Sequence, residues 1–225
     1  MELMPPKIYV TSFDVEDCLQ YVEDLEKIVS LYGPEQPILL QIESPGGDLT
    51  GYFILSDALK LIQNPVYTYC VGMACSAGFG LLVTGAKNGG KRICSSDALL
   101  MVHGVQLGLN GFNDLKDVEE VVRISRVRNN QFLNLIAKSI GLNNSDELEE
   151  LVKKKTKSHD LYLTAQDSLD LNMIDMIGSA KLTPPIILAN MMLYDNHDNC
   201  KKPDCFCKEI EVTEDKPKKK KGKKK

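Results

Sequence analysis

Ser76 lies in a run of small residues, Gly72-Met-Ala-Cys-Ser-Ala-Gly78. A serine held there, between a strand and a helix, would stand out on a tight turn. Its small neighbours would let a carbonyl approach, and the helix N-terminus would favour the negative charge that develops during acyl transfer. The same small residues would also serve close helix–sheet packing, so the run alone allows either role. A nucleophilic serine needs a base, and His103 is the only histidine in the first 158 residues. It follows Leu99-Leu-Met-Val102 and precedes Gly104, where it could take the serine proton or be a hydrogen-bonded core residue. A third turn, Ser44-Pro45-Gly46-Gly47, fits a Pro-Gly turn in which glycine takes positive φ. Its second glycine would present a backbone N–H with no side chain in the way. His159 and His197 lie in a charged stretch and in the C-terminal tail.

Two further patterns invite chemistry. Gly85-Ala-Lys-Asn-Gly-Gly90-Lys91 fits the phosphate-loop spacing, but Arg92 stands where a Ser or Thr would hold magnesium. A strand rather than a helix is expected to follow, so no helix N-terminus is offered to a phosphate and no nucleotide site is expected. His197, Cys200, Cys205 and Cys207 together offer one imidazole and three thiols, a full tetrahedral zinc set. The spacing is not that of a standard finger, and a flexible cysteine-containing linker is the other reading.

These turns need elements to hold them. Residues 7–11 and 37–42 read as strands, as do 66–71, a piece around Ile93, and 99–102. Asp14 looks like the N-cap of an amphipathic helix that stops at Gly33, and a second helix is expected over about 50–62. The small-residue segment 72–78 is expected to lead into another short helix. This alternation, with connections too long for hairpins, predicts an α/β domain containing parallel strands. A long helix over about 113–139 carries more apolar positions than one face of a small domain needs, which points to a subunit contact. Asn144 with Glu147 marks a helix start, and Thr164 with Asp167 marks another.

The chain has 225 residues, 43% hydrophobic and 26% charged, a composition that sustains a real core. No apolar run spans a bilayer and no signal peptide is expected, and four of the seven cysteines sit in apolar contexts as free thiols would. A reducing, cytoplasmic setting without a membrane is the expectation. The net charge of −4 divides unevenly: from residue 196 on, eleven lysines against six acids give +5, leaving −9 on residues 1–195. An acidic body is a poor partner for phosphates, so nucleic acid is expected only through the tail, if at all. The last ten residues hold eight lysines and read as a disordered tail.

Taken in order, several segments resemble the Clp protease proteolytic subunit family (ClpP). They are Ile42-Glu-Ser-Pro-Gly-Gly47, Val71-Gly-Met-Ala-Cys-Ser76-Ala-Gly, Gly85-Ala-Lys with Lys91-Arg92, Leu100-Met-Val-His103, Asp160-Leu-Tyr-Leu-Thr-Ala165 and Asp175. The resemblance covers roughly residues 7–180. It implies an α/β fold of the ClpP/crotonase type, built of repeated strand–strand–helix units with a protruding handle helix. Residues 1–190 would then be a serine peptidase domain and 191–225 a tail. It implies Ser76 as nucleophile, His103 as general base and Asp160 as the carboxylate that orients the imidazole. The backbone N–H groups of Gly47 and Ala77 correspond to the oxyanion hole. Gly46, Met101, Gly104, Leu107 and Gly108 correspond to the segments flanking a bound peptide. No cofactor is implied. The partners implied are polypeptide substrates and further copies of the chain, in stacked heptameric rings.

Departures from the family pattern leave alternatives open. The usual His-Gln-Pro is here His103-Gly104-Val105. The sequence also opens at the first strand without the family's N-terminal helix and pore loops, which puts docking of a Clp ATPase in question. A catalytically silent ring subunit, or a particle-maturation protease uncoupled from an ATPase, are the alternatives within the family. An acyl-CoA enzyme of the same broad fold would not need all three of Ser76, His103 and Asp160.

Overall fold

The strand β3 (Val66–Cys75) organises the molecule, because every layer of the sheet is built from one of its edges. The computed structural model describes residues 6–106 and 114–178. β1 (Lys7–Val10) pairs in parallel with β2 (Ile38–Ser44), and β2 pairs in parallel with β3. On its other edge β3 first pairs with β4 (Arg92–Cys94) through residues 68–70, and then with β5 (Leu99–Val102) through residues 73–75. The handover falls at Gly72, whose φ of 72° a side-chain-bearing residue rarely adopts. β3 thus runs four residues beyond the expected 66–71, because β5 supplies ladder partners for a segment that reads as a turn in sequence.

Helices pack on one face. α1 (Val15–Tyr32) ends at Gly33, which takes φ 78° and donates its N–H to Val29 O. Asp14 occupies the N-cap position of α1, but its side chain makes no capping bond. α2 (Leu49–Leu61) is capped by Asp48, which accepts from Thr50 N. α3 (Ala77–Thr84) is buried along nearly its whole length. α4 (Leu115–Ser139) buries only its C-terminal part, through Phe132, Leu133, Ile136 and Ala137. Leu115, Ile124 and Val127 on its N-terminal part stay exposed, which is where the surplus apolar positions lie. Phe132 meets Tyr52 of α2 edge-on, with ring centroids 5.0 Å apart. It fits there because residue 80 of α3 is glycine: a Cβ would fall against the Phe132 ring.

α5 (Ser145–Lys155) starts at Asn144, whose side chain accepts from Glu147 N. β6 (Leu161–Leu163) runs antiparallel to β5. α6 (Ala165–Asp170) opens on a complete capping box between Thr164 and Asp167, as the sequence pattern predicts. β7 (Met176–Ile177) closes the sheet beside β4. The Gly85–Lys91 segment leads into β4 rather than a helix, so the phosphate-loop spacing there is a connecting turn. Cys18, Cys70, Cys75 and Cys94 are buried free thiols. Among the described residues, no helix is long and apolar enough to cross a membrane.

Arg92 and Asp175 fasten the C-terminal segment to this frame. The guanidinium grips the carboxylate at two points, Nη2 to Oδ1 at 2.6 Å and Nε to Oδ2 at 3.1 Å, and also donates to the Ser139 and Asn172 carbonyls. Burial alone would push the Asp175 carboxyl up. The bonds from the Arg92 side chain and backbone N–H, with the guanidinium charge, outweigh it and hold the carboxyl below its usual range. Asp175 therefore contributes stability that is present above its ordinary value of 3.8 and lost as pH falls through its lower folded value. Arg92→Met is expected to cost about 2–3 kcal/mol near neutral pH. The difference from the unaltered protein in urea unfolding should shrink below about pH 4 without vanishing, because the two carbonyls also lose their donor. A cost independent of pH would remove the ion pair from the account.

Candidate active site

Two strand pairings bring three distant residues to one point. Cys75 of β3 pairs with Met101 of β5, so Ser76, the residue after β3, comes level with Val102, the last residue of β5, next to His103. Val102 pairs with Leu161 in the antiparallel β5–β6 ladder, so the next rung outward is His103 opposite Asp160. The Ser76 N–H donates to Met101 O at 2.9 Å and ties the turn to β5 directly.

Ser76 is the N-cap residue of α3, a position where a serine ordinarily accepts from the first helical N–H groups. Here its side chain makes no cap bond, and its Oγ lies 2.8 Å from His103 Nε2. Its backbone takes φ 53° and ψ −119°, a conformation that costs a non-glycine residue about 1–3 kcal/mol. The surroundings enforce it. Ser76 O accepts from Gly80 N at 2.9 Å, and Gly46 packs so closely that a Cβ there would sit 2.7 Å from Ser76 Cβ and 2.9 Å from Cys75 O. Gly46 takes φ 108°, the positive value the Pro-Gly turn requires, and its N–H is accepted by Ser44 Oγ at 3.1 Å. Burial pushes the thiol of Cys75, beside Ser76, above its usual range.

His103 is largely enclosed, its side chain 12% exposed against 29% for Asp160. Asp160 Oδ1 lies 3.4 Å from His103 Nδ1, within ion-pair reach. It forms no hydrogen bond there, and this buried oxygen has no hydrogen-bond partner among the described residues. Gln106 Nε2 also stands by Nδ1, at 3.1 Å.

A cleft of about 780 Å³ opens over Ser76 and His103, bounded by Gly47, Met101, Gly104 and, from α4, Arg128 and Phe132. The Ala77 N–H is the first of α3, one of the donors that a helix N-terminus leaves unpaired. The ideal Cβ position at Gly46 lies 3.3 Å from Ala77 N, so the turn at 44–47 and the start of α3 border the same space. Gly47 takes φ 153° and packs on Phe13, where a Cβ would lie 2.9 Å from Phe13 Cβ.

Of the residues singled out in the sequence, Ser76, His103, Gly47, Met101 and Gly104 line this cleft, while Gly46 and Ala77 adjoin Ser76 and Asp160 lies beside His103. Leu107 and Gly108 lie outside the described residues, as do His197, Cys200, Cys205, Cys207 and the lysine tail. Among the described residues, no group of three or more His, Cys, Asp or Glu side chains is placed to hold a metal ion. Two residues that touch the site escaped the sequence reading. Asn129 of α4 accepts from Val105 N at 2.9 Å, and its Oδ1 would lie 3.1 Å from a Cβ at residue 104. The departure His103-Gly104-Val105 thus fits a helix side chain lying close against it. Asn129 had a legible signal, since it falls on the helical stripe of Phe132, Leu133 and Ile136, where a polar residue is out of place. Gln106 had none beyond its nearness to His103 in the chain.

A family model described as Clp protease matches residues 17–181, from α1 through the segment just beyond β7. The match covers Ser76, His103 and Asp160, and the chain belongs to the Clp protease family, with the serine protease type of function that family has.

Proposed function

We infer that this chain is a serine endopeptidase that hydrolyses peptide bonds with Ser76 as nucleophile, His103 as general base and Asp160 as the carboxylate behind it. The observation that carries this reading is the 2.8 Å contact between Ser76 Oγ and His103 Nε2, on a turn that withholds the hydroxyl from helix capping. In the reaction Oγ attacks the scissile carbonyl carbon and its proton passes to Nε2. The C–N bond then breaks as Nε2 returns that proton to the leaving amine, and water hydrolyses the acyl-enzyme by the same path. The developing oxyanion would lie between the N–H groups of Gly47 and Ala77. Fixed donors of this kind contribute about 10²–10³ in rate, because they are already aimed when charge appears.

The substrate would lie extended in the cleft along Met101 and Gly104, with backbone pairing to the chain beside it. Members of the Clp protease family form oligomeric rings, and the apolar N-terminal part of α4 is the surface that supports assembly here. Leu115 is 70% exposed and Val127 49%, more apolar surface than a free helix end needs. A ring of such subunits would enclose the clefts and admit only unfolded chains. The buried free thiols favour a reducing compartment.

Hydrolysis of a fluorogenic peptide series tests the assignment. Ser76→Ala and His103→Ala should each lower turnover by about 10⁶-fold, and Asp160→Asn by about 10⁴-fold, with the double variant of Ser76 and His103 no worse than either single one. Retained turnover in Ser76→Ala would discard the reading. Gly46→Ala probes the turn rather than the chemistry. Its methyl must displace Ser76 Cβ or Cys75 O, and turnover should fall by about 10²-fold from a misplaced nucleophile. Unchanged kinetics in that variant would mean that the close approach is irrelevant to the serine.

A further inference from the structure

His103 Nδ1 has two neighbours competing for one position. Gln106 Nε2 is at 3.1 Å, and Asp160 Oδ1 is at 3.4 Å without a hydrogen bond. An imidazole nitrogen in this geometry forms one good in-plane hydrogen bond, so a bond to one neighbour is made at the expense of the other. With the amide nitrogen facing it, Nδ1 is the acceptor and the ring proton sits on Nε2. That proton points at Ser76 Oγ, and Nε2 then has no lone pair with which to accept the serine proton. With the amide turned over, Oε1 accepts from Nδ1–H, but a neutral oxygen replaces the carboxylate that must balance the imidazolium. In either orientation Asp160 Oδ1 is left without its partner.

Resting on the peptidase reading above, we propose that Gln106 is a positioning residue that competes with Asp160 for His103 Nδ1 and holds the site in a resting state. Activation requires the amide to leave. The ring then loses its Nε2 proton to solvent, takes one at Nδ1 and donates it to Asp160 Oδ1, which frees the Nε2 lone pair for Ser76. The structure gives the amide somewhere to go. Gln106 is exposed, and it borders both the cleft over Ser76 and a second cavity of about 360 Å³ on the far side of the histidine, floored by Val102, Leu133, Leu148 and Val152. Among the described residues, the bond from Val105 N to Asn129 ties its segment to α4.

The test is the rate of labelling of Ser76 in the full chain by a fluorophosphonate, followed by intact mass. In that reaction Oγ bonds to phosphorus, fluoride leaves, and the serine proton goes to Nε2. Gln106→Ala should label roughly 3–10-fold faster than the unaltered chain, the value of one modest hydrogen bond. In an Asp160→Asn background the same change should give no acceleration, because no carboxylate waits for Nδ1. Gln106→Glu in that background should recover labelling by about 10-fold or more by supplying a carboxylate from the other side. A slower or unchanged rate in Gln106→Ala, equal acceleration in both backgrounds, or no recovery by Glu would each overturn the competition. If the unaltered chain labels but Gln106→Ala is no faster, the peptidase reading stands and the competition falls. If neither the unaltered chain nor Gln106→Ala labels, both fall.

Discussion

The pairing of four-residue β5 is the constraint on which the site depends. β5 is held in parallel by the last residues of β3 on one side and antiparallel by β6 on the other. The first pairing places the end of β5 beside Ser76, and the second places it beside Asp160. Because side chains alternate along a strand, a slip of one residue in either ladder would turn His103 to the opposite face and dissolve both contacts. The register is secured by burial: Leu100 and Val102 point into the core, with Leu161 and Leu163 beside them. The chemistry of the cleft is therefore fixed by ordinary apolar packing one residue away from it.

The strained turn at Ser76 is sustained in the same way. A backbone conformation that costs about 1–3 kcal/mol persists only if its surroundings leave no alternative. Gly46, Gly78 and Gly80 supply that enforcement by their missing side chains. A Cβ at Gly78 would crowd Ser44 at 3.2 Å, and one at Gly80 would strike Phe132. β2, the Ser44 turn, α3 and α4 therefore close around the serine at distances that only glycine permits. Arg92 with Asp175 performs a comparable task at the rear, joining β4, the end of α4 and the segment before β7.

Much of this was legible in the sequence because turns are written in residue types. The run of small residues around Ser76, the Ser-Pro-Gly-Gly turn, and the lone early histidine after an apolar strand all point to strand ends, and all lie there. Asp160 was not legible by itself: one carboxylate in a charged stretch has no periodicity to distinguish it, and only the family resemblance singled it out. The register of β5 and β6 now gives the physical reason for its place. One boundary was misread: β3 reads as ending at Val71, because there local residue type was overruled by a tertiary partner. β5 extends β3 through Gly72, whereas Asp14 does stand at the N-cap of α1, without a capping bond from its carboxylate. The split character of α4 is likewise a tertiary fact, since its apolar residues run along the whole helix while only the C-terminal part meets the core.

The central claim is that the turn at 44–47, the start of α3 and the Ser76–His103 pair form one acyl-transfer site. A crystal structure of the protein after reaction with a fluorophosphonate tests it most directly. The account predicts phosphorus bonded to Ser76 Oγ, with the phosphoryl oxygen about 2.7–3.1 Å from both the Gly47 and Ala77 nitrogens. Phosphorus on another residue, or a phosphoryl oxygen turned to solvent away from both N–H groups, would contradict it.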